Sequence, residues 1–210
     1  MYRCHADTVE TALRLYLREL GFCPQDSDIT AKVLVEGNKR GHPSHGVARL
    51  TQIVEGFKAG KIVVRPNVRV KKDGAVYKVI DAGFGLGQPV GTKAMGMAVK
   101  MARDAGLGLV AVHNAAHLGI LGYYSEIASN HNMLGITMCT TSPAAVVPGG
   151  KIRLIGTNPI SYSFPLGNRF FTADFSTSSM SRAELLRRSE SGEELPPNSA
   201  VDANGMLTTN

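Results

Sequence analysis

Two stretches of the chain gather side chains that can hold a small anion and move a proton. The first is Gly41-His-Pro-Ser44-His45-Gly46-Val-Ala-Arg49-Leu50. A helix starting after this Gly/His/Pro-rich loop would put Arg49 one turn beyond His45 on the same face. A guanidinium grips a carboxylate through two parallel hydrogen bonds, and the hydroxyl of Ser44 and the imidazole of His45 stand beside it. A capped helix with a surface arginine accounts for the same residues. The second stretch is Ala115-Ala116-His117-Leu-Gly119-Ile-Leu-Gly122-Tyr123-Tyr124, directly after the apolar run Leu107–Val112. If that run is a strand, His117 sits in a loop at its carboxyl end, where ligands gather in α/β folds. An imidazole there can exchange a proton with a hydroxyl near neutral pH, and the neighbouring glycines let backbone approach a ligand closely. A polar loop histidine without a role reads equally well. His113 and His117 are four residues apart, but not on a helix and with no acidic or cysteine partner nearby, so no zinc set is expected.

Two further segments carry weaker chemistry. Asp81-Ala-Gly-Phe-Gly85-Leu-Gly87-Gln88-Pro89-Val90-Gly91 invites a dinucleotide-loop reading, but Val90 falls where the third glycine belongs and Pro89 sits where helix amides should face a pyrophosphate. A tight strand-to-helix connection is the better account. Cys139-Thr-Thr141-Ser142-Pro143, Pro148-Gly-Gly150 and Gly156-Thr157-Asn158-Pro159 could wall a polar pocket, and turn chemistry explains them as well.

The elements that must position these residues follow from hydropathy period. Val9, Leu13, Tyr16 and Leu20 recur at helical spacing, with Thr8 as candidate cap and Gly21 past the end. Further helices are expected from about Asp28 to Gly37 and over Val47–Glu55, the latter ending before Gly56. From Val68 the pattern changes to strands: Val68–Val70 and Val76–Ile80 around the turn Lys72-Asp73-Gly74, then Leu107–His113, Leu134–Cys139, Ser161–Phe164 and Phe171–Asp174. Helices over Pro89–Ala105 and Leu121–Asn130 alternate with them. Residues 1–65 therefore read as a helical part with the pocket loop, 66–175 as an α/β domain, and 176–210 as a polar end, either a long surface excursion or partly disordered. That end supplies no closing element, so the chain reads as cut short.

Of 210 residues, 43% are hydrophobic and 19% charged, an ordinary soluble composition that can bury a core. The formal charge of +6 comes from scattered lysines and arginines with one cluster at Arg182, Arg187 and Arg188. No nucleic-acid motif accompanies it, so a solvated basic face is the reading and nucleic acid is not an expected partner. Cys4, Cys23 and Cys139 are odd in number and lack Cys-x-x-Cys spacing, as in reduced cytosolic proteins. Met1-Tyr-Arg-Cys-His leads into a charged segment with no apolar leader. No membrane span and a cytoplasmic location are expected.

Taken together, Ser-His-Gly-x-x-Arg-Leu at 44–50, Gly-x-Gly-Gln at 85–88, His117-x-Gly119, Pro148-Gly-Gly150 and Gly156-Thr-Asn-Pro159 resemble the type 2 malate/L-lactate dehydrogenase family, from the first helix to at least Asp174. Ureidoglycolate, sulfolactate and diketogulonate oxidoreductases and Δ1-piperideine-2-carboxylate reductase belong to the same family. The resemblance implies a non-Rossmann α/β nicotinamide-binding fold, NAD or NADP as cofactor, homodimers, and hydride transfer to or from a small malate- or lactate-like 2-hydroxy or 2-oxo acid. By position, His117 resembles the catalytic acid/base. Ser44, His45, Arg49 and Thr141 resemble substrate-binding residues, and Asp174-Phe175-Ser176-Thr177-Ser178 looks like the cofactor-contacting Asp-x-Ala-Thr-Ser segment. Ser176 replaces its alanine, and Ile53 stands where many relatives carry a pocket tyrosine. A Gly-Gly-x-Lys-Gly segment and a final cofactor-binding region have no counterpart before Asn210. The alternative expectation is a truncated non-catalytic paralogue or a fragment that folds or dimerises without turnover.

Overall fold

The computed structural model describes residues 4–209, so the opening Met1–Arg3 lies outside the described residues. Helix α1 spans Ala6–Glu19, starting two residues before the expected Thr8 cap, with the backbone of His5 at its N-terminus. Helix α2 spans Pro24–Lys39. It begins earlier than Asp28 because proline at the first position presets φ and has no amide to leave orphaned. Helix α3 spans Arg49–Lys58 and runs through Gly56 instead of stopping before it. The glycine serves packing there: a Cβ would lie 2.8 Å from Ile62 Cδ1. Leu13, Leu17, Leu34, Val35, Ile53, Ile62 and Leu86 close the core among these helices and the chain that follows.

Strand β1 (Arg69–Asp73) pairs antiparallel with β2 (Tyr77–Asp81), which pairs parallel with β3 (Leu109–His113). Helix α4 (Gly87–Ala105) is the crossover. Because Asp81 lies opposite His113, the loops leaving β2 and β3 start side by side. Phe84 N–H donates to the Asn114 carbonyl (2.7 Å) and Ala116 N–H to the Gly85 carbonyl (3.0 Å). Parallel register alone therefore delivers the Gly85–Gln88 and Ala116–Gly119 segments to one place.

Helix α5 (Gly122–Ser129) packs on an antiparallel sheet of β4 (Gly135–Met138), β5 (Ile160–Leu166) and β6 (Arg169–Phe175). The buried contact is made by hydroxyls. Ser125 Oγ reaches Ser161 Oγ at 3.1 Å, Ser129 Oγ reaches Ser163 Oγ at 2.8 Å, and Thr172 donates to Ser163 at 3.0 Å. The opposite face is apolar and open, with Ile136, Met138, Phe164, Phe171 and Phe175 all exposed. Arg40 ties α2 to α5 through two hydrogen bonds to Glu126, at 2.5 and 2.7 Å, and one to Glu36 at 2.9 Å. These partners hold the guanidinium well above its ordinary pKa despite burial.

Where hydropathy gives no period, the polar end still forms helix α6 (Arg182–Ser191) and a hairpin of β7 (Ala200–Val201) and β8 (Leu207–Thr208). Ser181 Oγ accepts from Glu184 N–H at 3.2 Å, the Ser-x-x-Glu cap that starts a helix without an apolar stripe. In the basic cluster, Arg187 pairs with Glu184 and Glu193, and Arg188 with Glu184; the side chain of Arg182 lies outside the described residues. The α/β class expected from the sequence is present, built from two three-stranded sheets and a small hairpin. Among the described residues, no helix is long and apolar enough to cross a membrane.

Candidate active site

A cavity of about 390 Å³ opens between α3, the chain returning from it, the start of α4 and the His117 loop. Arg49, Gln52, Ile53 and Gly56 face it from α3 at the i, i+3, i+4, i+7 positions of one stripe. Arg49 is held in place by its own turn, with Nε donating to the Ser44 carbonyl (2.6 Å) and Nη1 to Gln52 Oε1 (2.9 Å). Ser44 and His45 close the short 3-10 turn Pro43–His45, where Ser44 Oγ lies 3.1 Å from His45 Nδ1. The rings of His45 and His117 lie 5.5 Å apart, centroid to centroid. Ser44, His45 and Arg49 thus form one group with His117, distant from them in sequence.

The His117 loop is locked by three contacts. Gly119 N–H donates to His117 Nδ1 (2.9 Å), so the neutral imidazole carries its proton on Nε2. Gly119 has a φ of +83°, a left-handed conformation that glycine adopts without strain. The His117 carbonyl accepts from Gln88 Nε2 at 3.0 Å. Gly87, the first residue of α4, lies so close that a Cβ would sit 2.3 Å from the Ala116 carbonyl oxygen. The His117 loop therefore packs directly against the N-terminus of α4, at the tight strand-to-helix connection expected from the sequence.

The electrostatics match the crowding. Burial lowers the His117 pKa to about 3, and the positive fields of Arg49 and His45 push the same way. Burial also lowers His45, helped by Arg49 and His42 and opposed by Asp174. A neutral, half-buried Nε2–H beside a guanidinium can donate to an oxygen that gains negative charge, while the guanidinium holds a carboxylate.

Of the expected site residues, Arg49 and His117 line this cavity, Ser44 and His45 adjoin them, and the remaining ones lie apart from it. Thr141 Oγ1 accepts from Thr157 N–H at 2.9 Å, and its own N–H donates to Asn158 Oδ1 at 3.0 Å. Asp174 Oδ2 accepts from Gly122 N–H at 2.7 Å, joining β6 to the start of α5. Phe175 packs edge-on against Tyr162. Ser176 and Thr177 donate to the Thr157 carbonyl at 3.2 and 3.1 Å, and Ser178 to that of Met180 at 2.8 Å. Thr141, Ser176 and Thr177 thus brace the turn at 157–158, while Asp174 and Ser178 bond elsewhere. Sequence reasoning missed Gln52, Glu55, Lys61 and Gln88 as wall residues. The helix through Arg49 carries Gln52 and Glu55 and could have found both; Lys61 and Gln88 come from tertiary returns of the chain. Among the described residues, no group of three His, Cys, Asp or Glu side chains could hold a metal ion.

Among the described residues, Gln88 Oε1 is buried without a hydrogen-bond partner. Next to the apolar side chains of Ile53 and Leu86 on the same wall, such an acceptor suits the carboxamide of a nicotinamide ring, whose face is apolar and whose amide needs a partner.

A malate/L-lactate dehydrogenase family model matches residues 4–210. The chain is 42% identical to L-sulfolactate dehydrogenase of Methanocaldococcus jannaschii, over 92% of its own length and 56% of that protein's. It is 31% identical to (2R)-3-sulfolactate dehydrogenase (NADP(+)) of Chromohalobacter salexigens, over 95% of the chain and 60% of the relative. The solved structure of the Methanocaldococcus jannaschii sulfolactate dehydrogenase superposes with a TM-score of 0.91 at 39% identity, covering 98% of this chain and 60% of that one. The chain thus spans little more than half the length of the relatives it matches, and over that span it belongs to the malate/L-lactate dehydrogenase family.

Proposed function

We propose that the cavity between α3 and the His117 loop is the substrate end of an NAD(P)-dependent oxidoreductase acting on a small 2-hydroxy or 2-oxo acid, malate- or lactate-like. The observation that carries this reading is the pairing of Arg49 with a half-buried, neutral His117 on one wall. Arg49 holds the carboxylate and so fixes C2 and its oxygen next to His117. In reduction, the Nε2–H of the neutral ring hydrogen-bonds the carbonyl oxygen and stabilises the negative charge that develops there, while a proton from solvent completes the hydroxyl. In oxidation the hydroxyl proton leaves to solvent and the same Nε2–H stabilises the oxygen that loses it. Gly119 N–H steadies the ring from the other side throughout. Ser44 and His45 orient the carboxylate end, with Thr141 closing the pocket once substrate is present. Nicotinamide, when bound, would supply the hydride to C2 of the acid or take it up from there. Ile53, Leu86 and Gln88 would hold its ring, and the Asp174–Ser178 segment would contribute to the rest of the cofactor.

Two further readings belong with this one. The open apolar face of the β4–β6 sheet supports a homodimer, since contiguous exposed apolar surface of that kind marks an interaction site. Three cysteines without disulfides support a reducing, cytoplasmic setting.

The test is NADH- and NADPH-dependent reduction of oxaloacetate, sulfopyruvate and pyruvate by the wild-type chain and His117→Ala. The variant should lose roughly 10²–10⁴-fold in kcat with cofactor affinity little changed. Undiminished turnover removes His117 from the chemistry, and absence of turnover by the wild type with every acid removes the reaction itself.

A further inference from the structure

The chain leaving α3 turns back at once onto the cavity. Lys61 N–H and Ile62 N–H both donate to the Gly56 carbonyl, at 2.8 and 3.1 Å, around Gly60 with its left-handed φ of +67°. The missing side chain at Gly56 makes room for Ile62, and this return brings Lys61 onto the same wall as Arg49. The cavity therefore has two cationic residues, one more than a monocarboxylate needs. Among the described residues the Lys61 ammonium has no hydrogen-bond or ion-pair partner, in contrast to Lys71, Lys78 and Lys93, which each sit on an aspartate. Glu55 lies on the wall as well and repels a second negative charge, so a dianion is favoured only if a cation offsets it.

We infer that Lys61 is a specificity-determining residue that takes a second anionic group at the far end of the substrate, so that the site prefers dianionic 2-hydroxy acids, a dicarboxylate or a carboxylate-sulfonate, over lactate. The inference rests on the oxidoreductase reading above for the placement of the first carboxylate on Arg49. The chemistry follows from the side chain: an ammonium is a compact charge on a flexible stem and accepts carboxylate or sulfonate oxygens alike, without the planar match a guanidinium demands. Lactate ends in a methyl group and gains nothing from it.

Calorimetric titration of the full chain with malate and with lactate, in the presence of NADH analogue and alongside turnover of each acid, tests the assignment. The wild type should bind malate at least about fivefold more tightly than lactate, the scale of one partly exposed ion pair. Lys61→Gln should remove that advantage while leaving lactate binding unchanged, and Lys61→Arg should retain most of it. Equal loss for both acids in Lys61→Gln would make the residue structural and overturn the inference, as would an unchanged malate preference. Binding of neither acid by the wild type would instead sink the oxidoreductase reading, and this inference with it.

Discussion

Arg49 and His117 meet because a 3-10 turn and a strand-end loop each hold one of them rigidly, and both were legible in the sequence for simple reasons. Arg49 lies within a helical turn of His45, and His117 follows a run that reads as a strand. Gln88 and Lys61 were not legible, since their places depend on α4 docking against a loop and on the return at Gly56. Burial of His117 has a thermodynamic signature. Its pKa is about 3 in the fold against an ordinary 6.5, so between those values the unfolded chain binds more protons than the native one. Stability is then fully present above about pH 6.5 and is lost as pH falls toward 3; His45, also lowered by burial, adds in the same direction. Urea unfolding at stepped pH should show the free energy rising from pH 4 to 6.5, and His117→Gln should flatten that rise. An identical slope in the variant would mean that the ring is not buried as described.

The elements that matter most are those whose meeting leaves no space. At Gly87 a Cβ would collide with the carbonyl oxygens of Ala116 and His117, at 2.3 and 2.5 Å, and backbone has no rotamer by which to yield. Gly87→Ala should cost about 1–3 kcal/mol in stability and displace the His117 loop, lowering turnover without touching any group that contacts substrate. Thermal unfolding and kinetics on the same preparation check both halves; a variant as stable and active as wild type would show that the loop does not rest on α4. The sequence disclosed the strand-to-helix connection here and the mismatch to a dinucleotide loop, but not that the helix start is occupied by another loop, which only the parallel β2–β3 register brings about. Thr141 and Asp174–Ser178 show the reverse case. Thr141, Ser176 and Thr177 satisfy the turn at 157–158 and Asp174 holds Gly122, so residue type alone could not separate a structural brace from a ligand contact.

For the whole molecule, the β4–β6 sheet is inverted relative to a typical half-buried sheet, with serines and threonines inward and Ile136, Met138, Phe164, Phe171 and Phe175 outward. Alternation was visible in the sequence, but which face is covered depends on α5, whose Ser125 and Ser129 accept the hydroxyl side. If the outer face joins two copies, Phe164→Glu should shift sedimentation of the wild-type dimer toward monomer without unfolding the chain; an unchanged sedimentation coefficient would place the interface elsewhere. The most direct test of the central claim follows the hydrogen itself. With NADH or NADPH deuterated at C4 on the transferable side, reduction of oxaloacetate or sulfopyruvate by the wild-type chain should place deuterium at C2 of the hydroxy acid, and His117→Ala should slow that labelling by roughly 10²-fold or more. Product free of deuterium at C2, or labelling by the variant at the wild-type rate, would contradict it.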